Sequence, residues 1–131
     1  MDNSGVIKGG TLLIESGPRS HLFVILNDAC SEKQHALLSF SSVKGDKSDD
    51  LTCVFDPNEV GHPFIKVRSF IFYRTPMVRK SEHIAECVAK KTFIRREQIA
   101  HEVVETIING VFESKFTPNY FKTYINGIPP F

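Results

Sequence analysis

Short apolar runs, separated by glycine, proline and polar residues, occupy the first half of the chain. Four of them lie at residues 11–14, 22–26, 35–40 and 52–55. A longer run at residues 64–73 is rich in β-forming residues, and its middle alternates between polar and apolar positions. Short apolar runs bounded by turn residues predict strands. Several of them at close spacing predict a small barrel or a strongly coiled sheet.

The second half of the chain has helical periodicity. Apolar residues recur three and four positions apart over residues 99–108, and charged residues fall largely on the opposite side. Gly110 predicts the end of this helix. A shorter helix is predicted over residues 118–125, with Thr117 as its cap and Pro118 at its first position.

The composition is that of a single globular domain over residues 1–131. Of the 131 residues, 41% are hydrophobic and 24% are charged. Cys30, Cys53 and Cys87 are widely spaced, which favours neither a disulfide framework nor a zinc site. No window approaches 18 apolar residues, so we expect a cytoplasmic protein with reduced thiols and no membrane segment.

Charge is balanced overall but unevenly distributed. The formal net charge is only +1, so no global field attracts nucleic acid. Residues 66–96 nevertheless contain nine Lys or Arg and two acids, whereas residues 46–59 contain five acids and one base. Each run is either ordinary solvated surface or part of a functional face. The acids lack the spacing of metal ligands, so we expect no metal or other cofactor.

The first group of candidate residues lies in a basic loop that leads into an apolar strand. Gly17 and Pro18 set a turn, and Arg19 and His21 follow at its exit. Arginine offers a planar fork of donors that matches a phosphate, and histidine exchanges protons near neutral pH. The alternative is a solvated β-turn that carries charge.

Two further groups occupy predicted strand ends. Ser41, Ser42 and Lys44 follow an apolar strand and can present hydroxyl and ammonium donors to an anion. His62 follows a glycine at a strand start, so we expect it to be unburied and able to act as an acid or base. The alternatives are an ordinary polar loop and a structural histidine.

Arginine, histidine, serine and lysine together suit attack of a ribose 2′-hydroxyl on its own phosphodiester. That reaction needs a base, an acid for the leaving 5′-oxygen, and donors for the charged phosphorane. Positioning and electrostatic stabilisation supply most of the rate enhancement. No Walker loop, G-x-S-x-G or H-E-x-x-H pattern occurs in the chain.

The order of these segments resembles the MazF/PemK-like toxins, which share a small SH3-like barrel with the gyrase poison CcdB. Residues 9–14, 21–27 and 35–42 resemble the first three strands of that family. Residues 66–72 resemble its segment Q-hydrophobic-[KR]-[ST]-hydrophobic, and residues 92–108 resemble its closing helix. The resemblance covers about residues 5 to 110.

The resemblance implies a mainly β fold with C-terminal helices, a small SH3-like barrel of the MazF/PemK type plus a short extra helix. The barrel would cover about residues 5–92 and the helix about 94–109, with a C-terminal extension at 111–131. The implied protein is a metal-independent endoribonuclease toxin. It would cleave single-stranded RNA, form a homodimer and be neutralised by a cognate antitoxin.

In this interpretation, Arg19 stabilises phosphate charge, while His21 and His62 share the acid and base roles. The remaining residues assigned to the site are Ser41 as a catalytic hydroxyl and Ser42, Lys44, Lys66, Arg68, Ser69 and Tyr73 as substrate-binding groups. Tyr73 would stack on a base if its ring is exposed. The chain departs from the family pattern in the second strand. His21 occupies the position of the family's arginine, and Leu22 occupies the position of the proline that follows it. The family Thr or Ser position falls on Ser41 or Ser42.

Two other functions fit the sequence. The first is a non-catalytic SH3-like barrel that binds a protein target, as CcdB does, through an apolar patch in residues 116–131. The second is an accessory nucleic-acid binder that uses the basic run at residues 66–96, whose binding would weaken steeply with salt.

Overall fold

A six-stranded antiparallel sheet forms the centre of the computed structural model, which describes residues 6–29 and 32–127. The strands are β1 (Thr11–Ser16), β2 (Arg19–Ile25), β3 (Gln34–Ser42), β4 (Val54–Phe55), β5 (Ser69–Lys80) and β6 (Phe93–Arg96). The described helices are α1 (Pro57–Val60), α2 (Ser81–Ala89), α3 (His101–Glu113) and α4 (Asn119–Asn126). The sheet order is β4-β5-β3-β2-β1-β6. The fold is therefore mixed α/β, an open antiparallel sheet with four helices in the described residues, rather than the mainly β fold expected from the sequence. The C-terminal helices agree with the prediction.

The first three strands, which the apolar runs predicted, form an antiparallel meander. β1 and β2 are joined by a two-residue turn, because Ser16 pairs with Arg19 across it. Gly17 adopts a φ of 68°, a left-handed conformation that suits the first position of a tight hairpin turn. The turn fixes the register of β2 and so fixes where Arg19 and His21 lie.

The apolar run in β2 has no polar alternation because both faces of the sheet are covered. Leu22 and Val24 belong to a core that includes residues of α3 and α4. Phe23 and Ile25 belong to a second core with Ile84 of α2. Helices on both faces explain why β2 is apolar on both sides.

The fifth strand begins later than predicted and bends sharply. Residues 64–68 form a loop rather than a strand, and β5 begins at Ser69. Leu37 pairs with Met77 but Ser39 pairs with Phe72, so β5 has extra residues opposite Leu38. This irregularity bends the sheet, and it includes Pro76, which cannot donate to a ladder.

Two elements between the strands and α3 were not predicted. Residues 81–89, for which the sequence predicted no element, form α2, in which Ile84 is the fully buried residue. The helix predicted over residues 94–109 begins only at His101, because residues 93–96 pair with β1 as strand β6. One buried residue in a short segment gives a weak periodic signal, so neither element was apparent in the sequence.

Gly110 lies inside α3 and does not end it, so that prediction was wrong. The helix continues to Glu113. The Tyr73 hydroxyl donates to the Ile107 carbonyl at 2.7 Å. A Cβ on Gly110 would overlap that hydroxyl and lie 2.8 Å from Tyr73 Cζ. The glycine is therefore needed for the close approach of the tyrosine ring.

The C-terminal extension packs onto the core. Phe121 and Ile125 of α4 are buried there, whereas Tyr120 is 59% exposed. α4 begins after Pro118, and the hydroxyl of Thr117 makes no hydrogen bond in the described structure, so Thr117 does not cap the helix. The apolar patch expected over residues 116–131 is therefore largely turned inward as far as residue 127.

Several other predictions concern thiols, termini and membrane segments. Cys53 is a buried free thiol and Cys87 a half-buried one, and burial raises the pKa of Cys53 to about 11. Cys30 and residues 128–131 lie outside the described residues. In the described part of the chain, no helix has the length and apolar character needed to cross a bilayer.

Candidate functional site

A cavity of about 230 Å³ opens where β2 and β3 separate. Their ladder joins Phe23 to Ser39 and Ile25 to Leu37, and it is not continued toward Arg19 and Ser42. The polar lining residues are Arg19, Ser20, His21, Ser41, Ser42, Lys44, Lys66 and Ser69. Seven of the ten residues predicted for the site thus line one cavity.

Most of these side chains are free to bind a ligand. Within residues 6–29 and 32–127, those of Arg19, His21, Ser41, Lys44 and Lys66 make no hydrogen bond or ion pair. The same holds for Ser42. Among the described residues, no carboxylate lines the cavity. The three cations and several hydroxyls in the cavity lining provide the donors that an anion requires.

The side chain of Asp49 holds the loop that carries Lys44 and does not pair with the lysine ammonium. The Asp49 carboxylate accepts hydrogen bonds from the backbone N–H of Lys44 at 3.1 Å and of Gly45 at 2.7 Å. Gly45 has a φ of 81°, which favours glycine. Asp49 therefore binds the backbone and fixes the loop, while the ammonium of Lys44 stays free.

Ser69 lies at the floor of the cavity and is the least available of the hydroxyls. It is only 3% exposed. Its hydroxyl donates to the Val67 carbonyl at 2.9 Å. This bond shapes the loop before β5 and leaves the Ser69 oxygen able to accept but not to donate.

His62 is buried, so the prediction that it acts as an unburied acid or base was wrong. Its Nδ1 accepts from the backbone N–H of Phe64 at 3.1 Å. Its Nε2 therefore carries the proton and donates to Thr11 Oγ1 at 3.1 Å, and the Thr11 hydroxyl donates to the Glu97 carbonyl at 2.6 Å. Burial lowers the pKa of His62, opposed by Glu97 and reinforced by Arg96. The imidazole is a neutral structural group outside the cavity.

Tyr73 and Arg68 also lie away from the cavity. Tyr73 is fully buried and donates to the Ile107 carbonyl, so the prediction that it stacks on a base was wrong. Burial raises its pKa. Arg68 is exposed and does not line the cavity, and its Nε lies 4.0 Å from Asp56 Oδ1. Tyr73 lies two positions after Ile71 in β5, and both side chains are in the same core.

The aromatic residue that does border the cavity is Phe64, which sequence reasoning did not select. Its side chain is 36% exposed, and that of Val67 in the same loop is 54% exposed. The Cζ atom of Arg96 lies 5.7 Å from the centroid of the Phe64 ring. The sequence showed only a phenylalanine between a proline and an isoleucine, and it was interpreted as part of a strand.

The basic run at residues 66–96 does not form one face. Lys66 lines the cavity, whereas the guanidinium of Arg74 lies 4.2 Å from the Phe116 ring centroid. Lys90 pairs with Glu86 at 2.9 Å on α2. The chain therefore carries a local basic site rather than a long basic surface.

The groups available for chemistry are one free imidazole, three cations and a set of serine hydroxyls. Among the residues described, no group of three or more His, Cys, Asp or Glu side chains could hold a metal ion. Comparison of the chain with protein-family models, curated proteins and solved structures gave no match.

Proposed function

We propose that this protein is a metal-independent endoribonuclease that cleaves single-stranded RNA. The observation that carries the proposal is the convergence of unpaired Arg19, His21, Ser41 and Lys44 side chains on one cavity without a carboxylate. This set matches a phosphodiester that gains negative charge in its transition state. Arg19, Lys44 and Lys66 supply positive charge, and the serine hydroxyls orient the phosphate.

The proposed reaction is transfer of the phosphate from the 5′-oxygen to the neighbouring 2′-oxygen. The 2′-oxygen forms a bond to phosphorus as its proton leaves, and the bond from phosphorus to the 5′-oxygen breaks. The 5′-oxygen takes up a proton. The products are a 2′,3′-cyclic phosphate and a 5′-hydroxyl. Because His62 is outside the cavity, His21 is the one imidazole available to move either proton, and water completes the transfer.

The finer fold in this proposal is an SH3-like barrel of the MazF/PemK type. The His62–Thr11 hydrogen bond supports it, because this bond ties the loop after α1, which follows edge strand β4, to β1, the neighbour of the other edge strand β6. The proposed biological role is that of a toxin neutralised by a cognate antitoxin, and the proposed assembly is a homodimer. Its proposed location is the cytoplasm.

Incubation of the protein with RNA in the presence of a chelator tests the proposal. We expect cleavage that yields 2′,3′-cyclic phosphate ends, and no cleavage of an all-DNA strand of the same sequence. A variant with both Arg19→Ala and His21→Ala should lose activity. Intact RNA, or cleavage that this double variant leaves unchanged, would overturn the proposal.

A second candidate is a binding protein on the same fold. The observation that favours it is the presence of a single imidazole in the cavity, where phosphate transfer ordinarily uses an acid and a base. The cleavage assay separates the two functions. Capture of a protein target, together with no cleavage of RNA, would support the CcdB-like function. Salt-sensitive RNA binding without cleavage would support an accessory RNA binder.

A further inference from the structure

The cavity has an apolar side that an isolated phosphate would not use. Phe64 and Val67 line it and remain 36% and 54% exposed. Both belong to the loop between α1 and β5, whereas Arg19, His21 and Ser41 come from β2 and β3. Exposed apolar side chains beside a set of free donors indicate a ligand with both a charged part and a flat or apolar part.

Hydrogen bonds anchor the loop that carries Phe64 at residues before and after it in the chain. The backbone N–H of Phe64 donates to His62 Nδ1 at 3.1 Å. The backbone N–H of Ile65 donates to the His62 carbonyl at 3.0 Å, and the Ile65 side chain is buried in the core. The Arg68 carbonyl accepts from the backbone N–H of Val43 at 3.0 Å. An aromatic ring on an anchored loop is preorganised, so little conformational entropy is lost when it binds.

Arg96 helps to orient the ring. Its guanidinium carbon lies 5.7 Å from the Phe64 centroid, within the range of a cation–π contact. Its Nε lies 3.1 Å from the Glu97 carboxylate, which holds the guanidinium in place. The ring is thus supported from β6 while its remaining exposed surface borders the cavity.

We infer that Phe64 is the stacking platform for one nucleobase of a single strand whose phosphate occupies the cavity. This inference rests on the proposed function and adds the subsite that holds the base. Every base has a π-face that can stack on an aromatic side chain, and duplex bases have both faces covered. The platform therefore favours single-stranded over double-stranded nucleic acid and over an isolated anion.

Binding of a short RNA tests this subsite directly. The probe is an RNA octamer with 2′-O-methyl groups, which cannot be cleaved by 2′-attack, together with the same strand lacking its bases. We expect the wild-type protein to bind the intact strand roughly tenfold or more tightly than the abasic strand. Phe64→Leu should abolish this ratio, and Phe64→Tyr should restore most of it.

Phe112→Ala is the matched control, because Phe112 is 44% exposed on α3 and does not line the cavity. It should leave the ratio unchanged, and thermal unfolding should show that all three variants fold. If Phe64→Leu binds both strands as the wild type does while RNA is still cleaved, the inference fails and the proposed function stands. If the wild type neither binds the strands nor cleaves RNA, both fail. Equal wild-type affinity for the two strands also overturns the inference.

Discussion

The polar side chains around the cavity and those in the interior differ in their partners. The side chains of Arg19 and His21 make no hydrogen bond in the described part of the chain. His35, His62 and Tyr73 are almost fully buried, and each is hydrogen-bonded. A buried polar group without a partner costs free energy, whereas an exposed donor bonds to water until a ligand replaces it. The difference separates positions that control stability from positions that control binding.

The largest expected effect is the loss of activity in His21→Ala. If His21 moves a proton in the reaction, its removal should lower the cleavage rate by about 10²- to 10⁴-fold. Its side chain is only half-buried and has no partner in the described chain, so the free energy of unfolding should change by less than about 0.5 kcal/mol.

Cleavage rates and urea unfolding of the same preparations measure both quantities. His101→Ala is the control, because His101 is an exposed helical histidine that pairs with Glu105 away from the cavity. A His21→Ala protein that cleaves RNA at the wild-type rate would remove His21 from the proposed mechanism.

His62→Ala should show the opposite pattern, with a large loss of stability. It removes the donor to Thr11, leaves the N–H of Phe64 without its acceptor and opens a void. We expect the free energy of unfolding to fall by about 2–4 kcal/mol in urea titrations. His62→Asn, which can still accept from Phe64, should lose less. An unchanged midpoint for His62→Ala would show that the interior does not depend on this histidine.

Gly110→Ala tests the same interior from the side of α3. Alanine is the better helix former by up to about 1 kcal/mol, yet its Cβ would overlap the Tyr73 hydroxyl. We therefore expect a net destabilisation of about 1–3 kcal/mol. Asn109→Ala, an exposed neighbour on the same helix, should be neutral or stabilising in the same thermal unfolding assay. A stabilised Gly110→Ala protein would contradict the close packing of Tyr73.

The sequence predicted most strands because their apolar runs are bounded by strong turn residues. Gly17 and Pro18 define one hairpin, and β2 is apolar throughout because helices cover both faces. α2 was missed because a helix with Ile84 as its fully buried residue has little periodicity. Position along the strands also indicated that Arg19, His21 and Ser41 could meet.

The sequence could not predict which polar residues are buried. His62 contacts Thr11, which lies 51 residues away, and this pairing depends on how the loop after α1 crosses to β1. Tyr73 lies on the same side of β5 as buried Ile71, and the acceptor of its hydroxyl, the Ile107 carbonyl, is 34 residues away. Such contacts between distant segments leave no local pattern.

Acid should lower the stability of the protein through His62. Burial lowers the pKa of His62, so the unfolded chain takes up a proton at a higher pH than the folded chain does. The contribution of His62 to stability is then complete above about pH 6.5 and declines below it, by at most about 1.4 kcal/mol per pH unit.

Urea unfolding of the wild type and of His62→Asn at pH 7.5, 6.5 and 5.5 measures this effect. The asparagine cannot take up a proton, and the other titrating groups are shared by the two proteins. The stability difference between them should therefore shrink as the pH falls. A difference that is constant over this range would show that the folded protein accommodates a protonated His62.

The smallest expected effect is that of Arg68→Ala, which marks the edge of the cavity. Lys66 lines the cavity and has no partner in the described chain, whereas Arg68, two positions on, lies outside it beside Asp56. Lys66→Ala should weaken binding of the uncleavable RNA and reduce the salt dependence of log K by about one unit of slope. Arg68→Ala removes the same charge but only an exposed ion pair, so stability should change by less than about 0.5 kcal/mol and the slope very little. Salt titrations of both variants compare the two positions directly. An equal loss of slope in Arg68→Ala would mean that RNA contacts extend beyond the cavity. It would contradict the distinction between the free side chains that line the cavity and the residues outside it.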